Sequence, residues 1–177
     1  MTARNPSRRR STGTGSGAAT TSSTSTTCGI VASVRVFRAR VLAEVPPARA
    51  FDFVADYHNV RRVLDGVTRW EPLGRARGTG ARFDVEMRTL GIPLRNVLVL
   101  DRWDEPRALG WRSESGLIAQ RGGWTFTPRR GGTEIELEIA YQPPGAALGN
   151  LLAGRADALV RRRLEKALQR MKRALEG

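Results

Sequence analysis

From residue 67 to residue 141 the chain is a series of short alternating segments separated by turn signals at hairpin spacing. Ala81, Phe83, Val85 and Met87 alternate with Arg82, Asp84, Glu86 and Arg88, and Ile135, Leu137, Ile139 and Tyr141 alternate with Glu134, Glu136 and Glu138. A period of two puts alternate side chains on opposite faces, so each segment reads as a strand with one face in a core and one in water. Residues 67–73, 94–103, 107–115 and 122–128 read as further strands, with turns at 75–80, 90–93, Pro106 and Gly131-Gly132. Connections this short join antiparallel neighbours.

The flanks differ. Phe37, Ala39, Val41, Ala43 and Val45 alternate with Arg38, Arg40 and Glu44, which adds a first strand and brings the count to about seven. Pro46-Pro47 stops that strand and suits a helix start. Ala50, Phe51, Val54 and Tyr57 then recur at helical spacing, and a second short helix is expected over 59–64, ending at Gly66. After Pro143-Pro144-Gly145, a stripe of Leu148, Leu152, Leu159, Leu164, Leu168, Met171 and Leu175 marks one long amphipathic C-terminal helix. Its polar face is basic, and Arg161, Arg162, Lys166, Arg170 and Arg173 are expected to be solvated.

The 177 residues suffice for one domain, placed here at 34–176. Residues 1–27 hold 14 Ser or Thr, four Arg and no acid, too little apolar surface to offset ordering entropy, so 1–30 is expected to be a disordered tail. Arg8-Arg9-Arg10 lacks the apolar stretch an export signal requires, and no run of 18 apolar residues offers a membrane span, so a cytoplasmic protein is expected. One cysteine (Cys28) and one histidine (His58) leave no disulfide and no His- or Cys-built metal set. No metal and no cofactor are expected. Lys plus Arg is 30 against 17 acids, a net of +13, and only Lys166 and Lys172 are lysine. Such a bias reads either as arginine-rich codon usage or as attraction to anionic partners.

One helix against seven strands implies a strongly bent sheet wrapped around it. The concave face would carry Trp70, Phe83, Val85, Met87, Trp111, Trp124 and Phe126, with Ser113 and Asn96 as its polar members. Tyr57 would stand at the mouth, Leu98 on the fourth strand, and Leu152 and Leu159 on the helix. Two readings of these residues stay open: a dry core, or the lining of a site for a hydrophobic ligand. The period does not fix the register of 94–103, since Asn96/Leu98/Leu100 and Val97/Val99/Trp103 are both largely apolar faces.

The order of motifs resembles the START-like, or SRPBCC, superfamily, closest to its polyketide cyclase/dehydrase-like branch with coenzyme Q-binding proteins as near neighbours. The resemblance rests on the strand before Pro46-Pro47, the Ala55-Asp56-Tyr57-His58-Asn59 segment and Gly66-Val67. Further along, Gly123-Trp124-Thr125-Phe126-Thr127-Pro128, Gly131-Gly132-Thr133-Glu134-Ile135 and the terminal Leu/Arg-rich helix extend it. It implies an α+β helix-grip fold: a seven-stranded bent antiparallel sheet around a long C-terminal helix, with two short helices after the first strand. It also implies a deep cavity for a lipid, quinone or polyketide.

Binding of such a molecule, with transport as one use of it, is the first functional expectation. The alternative is a cyclase or dehydratase acting on a bound poly-keto chain, which needs a proton donor or acceptor and an orienting cation. The sequence offers no such set on one face. His58 reads as a surface turn residue, and Arg82, Arg88 and Arg112 alternate away from the apolar face. Gly78-Thr79-Gly80 lacks the helix start of a phosphate cradle. The basic helix lacks a nucleic-acid recognition motif, and its excess charge fits weak contact with an anionic membrane better. Oligomeric state is not readable from the sequence.

Overall fold

The computed structural model describes residues 34–89, 91–142 and 150–177, without the side chains of 150–154 and 156. The tail expected at 1–30, the Pro143-Pro144-Gly145 connection and the Leu152 side chain lie outside the described residues. Among them the chain runs β1 (Arg35–Ala43), α1 (Pro47–Ala55), α2 (Tyr57–Val63), β2 (Val67–Pro72), β3 (Arg82–Thr89), β4 (Ile92–Asp104), β5 (Ala108–Gly116), β6 (Gln120–Arg129), β7 (Gly132–Tyr141) and α3 (Asn150–Glu176).

All seven strands form one antiparallel sheet in the order β1-β7-β6-β5-β4-β3-β2. The consecutive strands β2 to β7 are neighbours, as their short turns require, while β1 returns to pair with β7 from Arg35↔Tyr141 to Ala43↔Thr133. Register shifts at Val67/Arg69, Val97/Leu98 and Leu100/Arg102 interrupt the ladder, and such irregularities bend and twist a sheet locally. The open register of β4 is fixed by its partners. Phe83↔Leu98, Val85↔Asn96 and Leu100↔Trp111 turn Asn96, Leu98 and Leu100 inward, while Arg95 faces water beside Asp84 and Glu86.

Pro47 opens α1, where a missing N–H costs nothing. The expectation that Tyr57 continues the α1 stripe fails at Asp56. That residue takes extended dihedrals, ends α1, and accepts a hydrogen bond from the His58 N–H at 3.0 Å, thereby capping α2. Tyr57 is therefore the first residue of a second helix that starts two residues earlier than its apolar pattern indicates.

Helix α3 is held by Leu164, Ala167, Leu168, Met171 and Leu175, all buried. Each large member contributes about 1.5–3 kcal/mol of transfer free energy. Polar ties flank this stripe. Asp65, after α2, accepts from Lys166 at 2.7 Å and from Arg170, and Glu176 accepts the Glu44 N–H at 2.8 Å. Arg170 is consequently half-buried, contrary to its expected solvation, because it also reaches the Val63 carbonyl. Arg161, Arg162, Lys166 and Arg173 are exposed as expected.

The convex face is laced with ion pairs: Arg38–Glu138 and Arg40–Glu136 between register partners of β1 and β7, Arg82–Glu114 reaching over β4 from β3 to β5, and Arg129–Glu134 diagonally across the last hairpin. Four arginines are thereby paired one to one with glutamates on the sheet's outer side.

Candidate ligand site

The concave face is built in rows. Reading across the sheet, Ala39, Leu137, Trp124, Leu109 and Trp103 form one row, and Phe37, Ile139, Gly122, Trp111 and Leu100 the next. Trp111 fits because Gly122 has no side chain: a Cβ there would run into the indole Cζ2. Trp103 shares the inward face with Leu100 although the two are an odd three positions apart, because the irregularity at Leu100/Arg102 resets the alternation.

Against these rows lie α1 and α2, and between them is a cavity of about 20 Å³. That is room for about one water molecule. Val54, Ala55, Tyr57 and Val60 form its helical wall, and Trp70, Phe83, Leu100, Trp103, Leu109, Trp111 and Trp124 its sheet wall, with Ala76 from the β2–β3 connection. All four tryptophans of the chain converge here. Tyr57 and Trp70 approach the Phe83 ring at 5.9 and 6.1 Å between centroids, and Phe51 meets Trp103 edge-on at 5.2 Å. Tyr57, Ala76 and Trp103 are the lining residues that keep some exposed surface, which marks the thinnest side of the wall.

The residues expected at a site divide accordingly. Tyr57, Trp70, Phe83, Trp111 and Trp124 line the cavity. Val85, Leu98 and Phe126 are buried in the same core outside its lining, and Met87 is half-buried opposite Leu94. Ser113 is occupied with backbone: its hydroxyl lies 3.1 and 3.0 Å from the Ile118 and Gln120 carbonyls and accepts the Gln120 N–H at 2.8 Å. Asn96 donates to the Ile118 carbonyl at 3.3 Å, while its buried Oδ1 packs against Gly116 without a hydrogen-bond partner among the described residues. Leu159 does not face the cavity. It borders a surface groove with Asp65, Gly66, Arg162, Arg163 and Lys166. The side chain of Leu152 lies outside the described residues.

The sequence reading missed a polar cluster at one end of the concave face. Arg35 ion-pairs through Nη1 with Asp157 of α3, and the Tyr141 hydroxyl donates to the other Asp157 oxygen at 2.9 Å. Burial pushes the Tyr141 phenol up to about 12, and the hydrogen bond and charge of Asp157 add to this against the opposing charge of Arg35. The signal was present in the periods: Arg35 is in phase with Phe37 and Ala39, and Asp157 lies seven residues before Leu164 on the buried stripe. His58, by contrast, is exposed and lies tilted against the Tyr57 ring at 4.0 Å between centroids, outside the cavity lining. No group of three His, Cys, Asp or Glu placed to hold a metal occurs among the described residues.

The model of a protein family described as "Polyketide cyclase / dehydrase and lipid transport" matches residues 33–176. Among solved structures, TTHA0849 from Thermus thermophilus superposes with a TM-score of 0.71 at 22% identity, over 80% of this chain and 97% of that one. The Zhui aromatase/cyclase from Streptomyces sp. R1128 gives 0.69 at 17% identity, over 81% and 94%. Ara h 8.0201 gives 0.59 at 16% identity, over 81% and 98%. At these identities the likeness is one of fold, the helix grip. No curated protein sequence matches the chain.

Proposed function

The chain belongs to the polyketide cyclase/dehydrase and lipid-transport family, and on that premise we propose that it binds a hydrophobic small molecule between its sheet and its helices. The observation that carries this reading is the convergence of all four tryptophans, with Phe83 and Tyr57, on one interior space. A core needs apolar volume, but it does not need all four indoles gathered around one residual cavity. Apolar walls with few polar groups are the usual character of a small-molecule site.

Ligand sites for molecules of drug size measure roughly 300–1,000 Å³. The cavity of about 20 Å³ falls far short of that and of the deep cavity the family resemblance implies, so the reading requires the wall to part when a ligand enters. Uptake parts the wall, and the side carrying Tyr57, Ala76 and Trp103 is where the least burial is given up. The test is titration of the purified chain with an apolar chain alcohol or a quinone, read by tryptophan emission, with native mass spectrometry for co-purified molecules. A saturable change is expected. Phe83→Arg, which sets a charge among these rings, should abolish it. An emission spectrum that no apolar compound alters would leave the cavity as a dry core.

The family description also supports a second reading, a cyclase or dehydratase acting on a poly-keto chain. General acid–base chemistry near neutral pH favours groups whose pKa lies close to it. Tyr141, pushed up to about 12, is a hydrogen-bond donor rather than such a group. The readings differ in what is returned: a binder returns its ligand unchanged, a dehydratase returns it lighter by one water, and a cyclase returns an isomer of equal mass that separates from the open chain by chromatography.

The remaining parts of the proposal concern setting. No helix among the described residues is long and apolar enough to cross a membrane. A cytoplasmic protein that meets an anionic membrane transiently to load its ligand is supported by the basic stripe of α3, where Arg155, Arg162, Lys166 and Arg173 recur at 7, 4 and 7 residues and are all exposed. Residues 34–176 are proposed to act as the functional unit, so removing 1–30 should leave both melting temperature and ligand uptake unchanged.

A further inference from the structure

On the ligand-binding reading the tryptophan-lined wall takes up an apolar body, and the same concave face ends in groups that no apolar body satisfies. Arg35 and Tyr141 pair across β1 and β7, and Tyr141 pairs with Gln120 on β6. Gln120 meets Ser113 of β5 through its N–H. These inward positions form a polar row one inward step beyond the row of Phe37, Ile139, Gly122 and Trp111. Asp157 closes the row from α3. The Arg35 Nε is buried and has no hydrogen-bond partner among the described residues. A second guanidinium, that of Arg161, lies over the Phe37 ring at 6.0 Å, on the neighbouring inward position of β1. Among the described residues, the half-buried Arg35–Asp157 pair and the exposed Arg161 set two cations against one carboxylate at the rim of this face, with the Arg35 Nε as an unused donor.

We propose that Arg35, held by Asp157 and Tyr141, receives the head group of the bound molecule, and that this head is an anionic oxygen acceptor, a carboxylate. The inference deepens the ligand-binding reading and rests on it. The polar row lies beside Tyr141 and the tryptophan row beside Leu137, four residues along β7, which is about 13 Å at roughly 3.3 Å per residue. The matching ligand has a carboxylate at one end and an apolar body about that far away. Arg35 suits the role because a guanidinium presents five N–H donors in a fixed fork, so one edge can hold Asp157 while Nε is left for a second oxygen acceptor. Tyr141 occupies one Asp157 oxygen and so limits the negative charge a ligand carboxylate meets.

The experiment compares three probes of one chain length, dodecanoate, dodecanol and dodecylammonium, titrated against tryptophan emission of the full chain. Dodecanoate is expected to bind about tenfold tighter than dodecylammonium, a difference of about 1.4 kcal/mol. Arg35→Gln should bring the two within about threefold and leave dodecanol unchanged, because dodecanol uses only the apolar wall. Tyr141→Phe, which keeps the ring, should reduce the carboxylate preference without removing dodecanol binding. Equal affinity for dodecanoate and dodecylammonium in the wild-type chain overturns the proposal. So does an Arg35→Gln chain that keeps the preference, or one that loses all three probes alike. If Arg35→Gln does not fold, the wild-type comparison and Tyr141→Phe decide. Dodecanol binding without head-group preference removes this inference and leaves the cavity reading standing. Failure of all three probes to bind removes both.

Discussion

The Trp111 indole lies across Gly122 of the adjacent strand, in the space a side chain would fill, with the Glu138 carbonyl on the far side. A Cβ at position 122 would meet that carbonyl at 2.8 Å and the indole more closely still. The indole must move, and the contact with the Glu138 carbonyl remains, so the paired backbone of this central strand must shift as well. Gly122→Ala should cost about 1–3 kcal/mol, the range for inserting a methyl group into a packed core. Urea denaturation measures the loss, and the tryptophan emission maximum should shift to the red as Trp111 leaves its place. Wild-type stability in the Gly122→Ala chain would show that Trp111 is loosely held.

Tyr141 links β7 to α3 through Asp157, and its phenol is pushed up to about 12 against an ordinary value of about 10. The fold favours the neutral phenol. Its contribution is complete below the unfolded value near 10 and is lost as pH rises through about 12. Wild-type stability should therefore fall more steeply between pH 10 and 12 than that of Tyr141→Phe, which has nothing to ionise. Parallel profiles from chemical denaturation at pH 9, 10 and 11 would sink this assignment.

How much of this was legible depends on whether a residue's neighbours along the chain determine its partners. The alternations in β3 and β7 state their inward faces outright, since Phe83, Val85, Ile135 and Leu137 are buried and Arg82 and Arg88 exposed. The register of β4 could not be read, because both its faces are apolar and only pairing with Phe83, Val85 and Trp111 chooses between them. Strict alternation sets Trp103 on the face opposite Leu98 and Leu100. The irregularity at Leu100/Arg102 brings it inward, and such an extra residue leaves no periodic trace. Leu159 follows the helical stripe yet borders a groove, because the stripe gives a helix face and not the element that covers it. Asp56 could have been recognised as a cap, and Arg35 as inward-facing, from rules that need only the local sequence.

Asp65 tests the attachment of α3. Hydrogen bonds from Lys166 and then Arg170 hold its carboxyl below the usual aspartate range, against the opposing effect of burial. A lowered carboxylate pKa stabilises the fold above the unfolded value near 4, and that stabilisation is lost as pH falls below it. The pairs are partly exposed, so Asp65→Asn should cost no more than about 1 kcal/mol at neutral pH. Its stability should also decline less between pH 5 and 3 than that of the wild-type chain. Thermal melts across that range are the measurement, and identical acid sensitivity would show that Asp65 is not one of the groups whose protonation loosens the domain.

The exposed stripe of α3 decides how the arginine excess is to be read. Arg155, Arg162 and Arg173 lie on one helix face and form no ion pair among the described residues, unlike Lys166 and Arg170, which hold Asp65. The three span 18 residues, about 27 Å at 1.5 Å per residue, a length that lets them meet one surface together. Exposed charges add little to folding, so replacing all three with Gln should move the melting temperature by no more than a few degrees. Attraction to an anionic surface is a different quantity, about 1 kcal/mol per basic side chain near the surface, and it falls off within a Debye length of about 8 Å at physiological salt. In flotation with vesicles containing phosphatidylserine, the wild-type chain should bind at low salt and release as salt rises, and the triple variant should bind far less. Vesicles of phosphatidylcholine alone should float neither. If neither chain binds the anionic vesicles while both still take up an apolar ligand, the net charge of +13 is a feature of composition and the stripe has no membrane role.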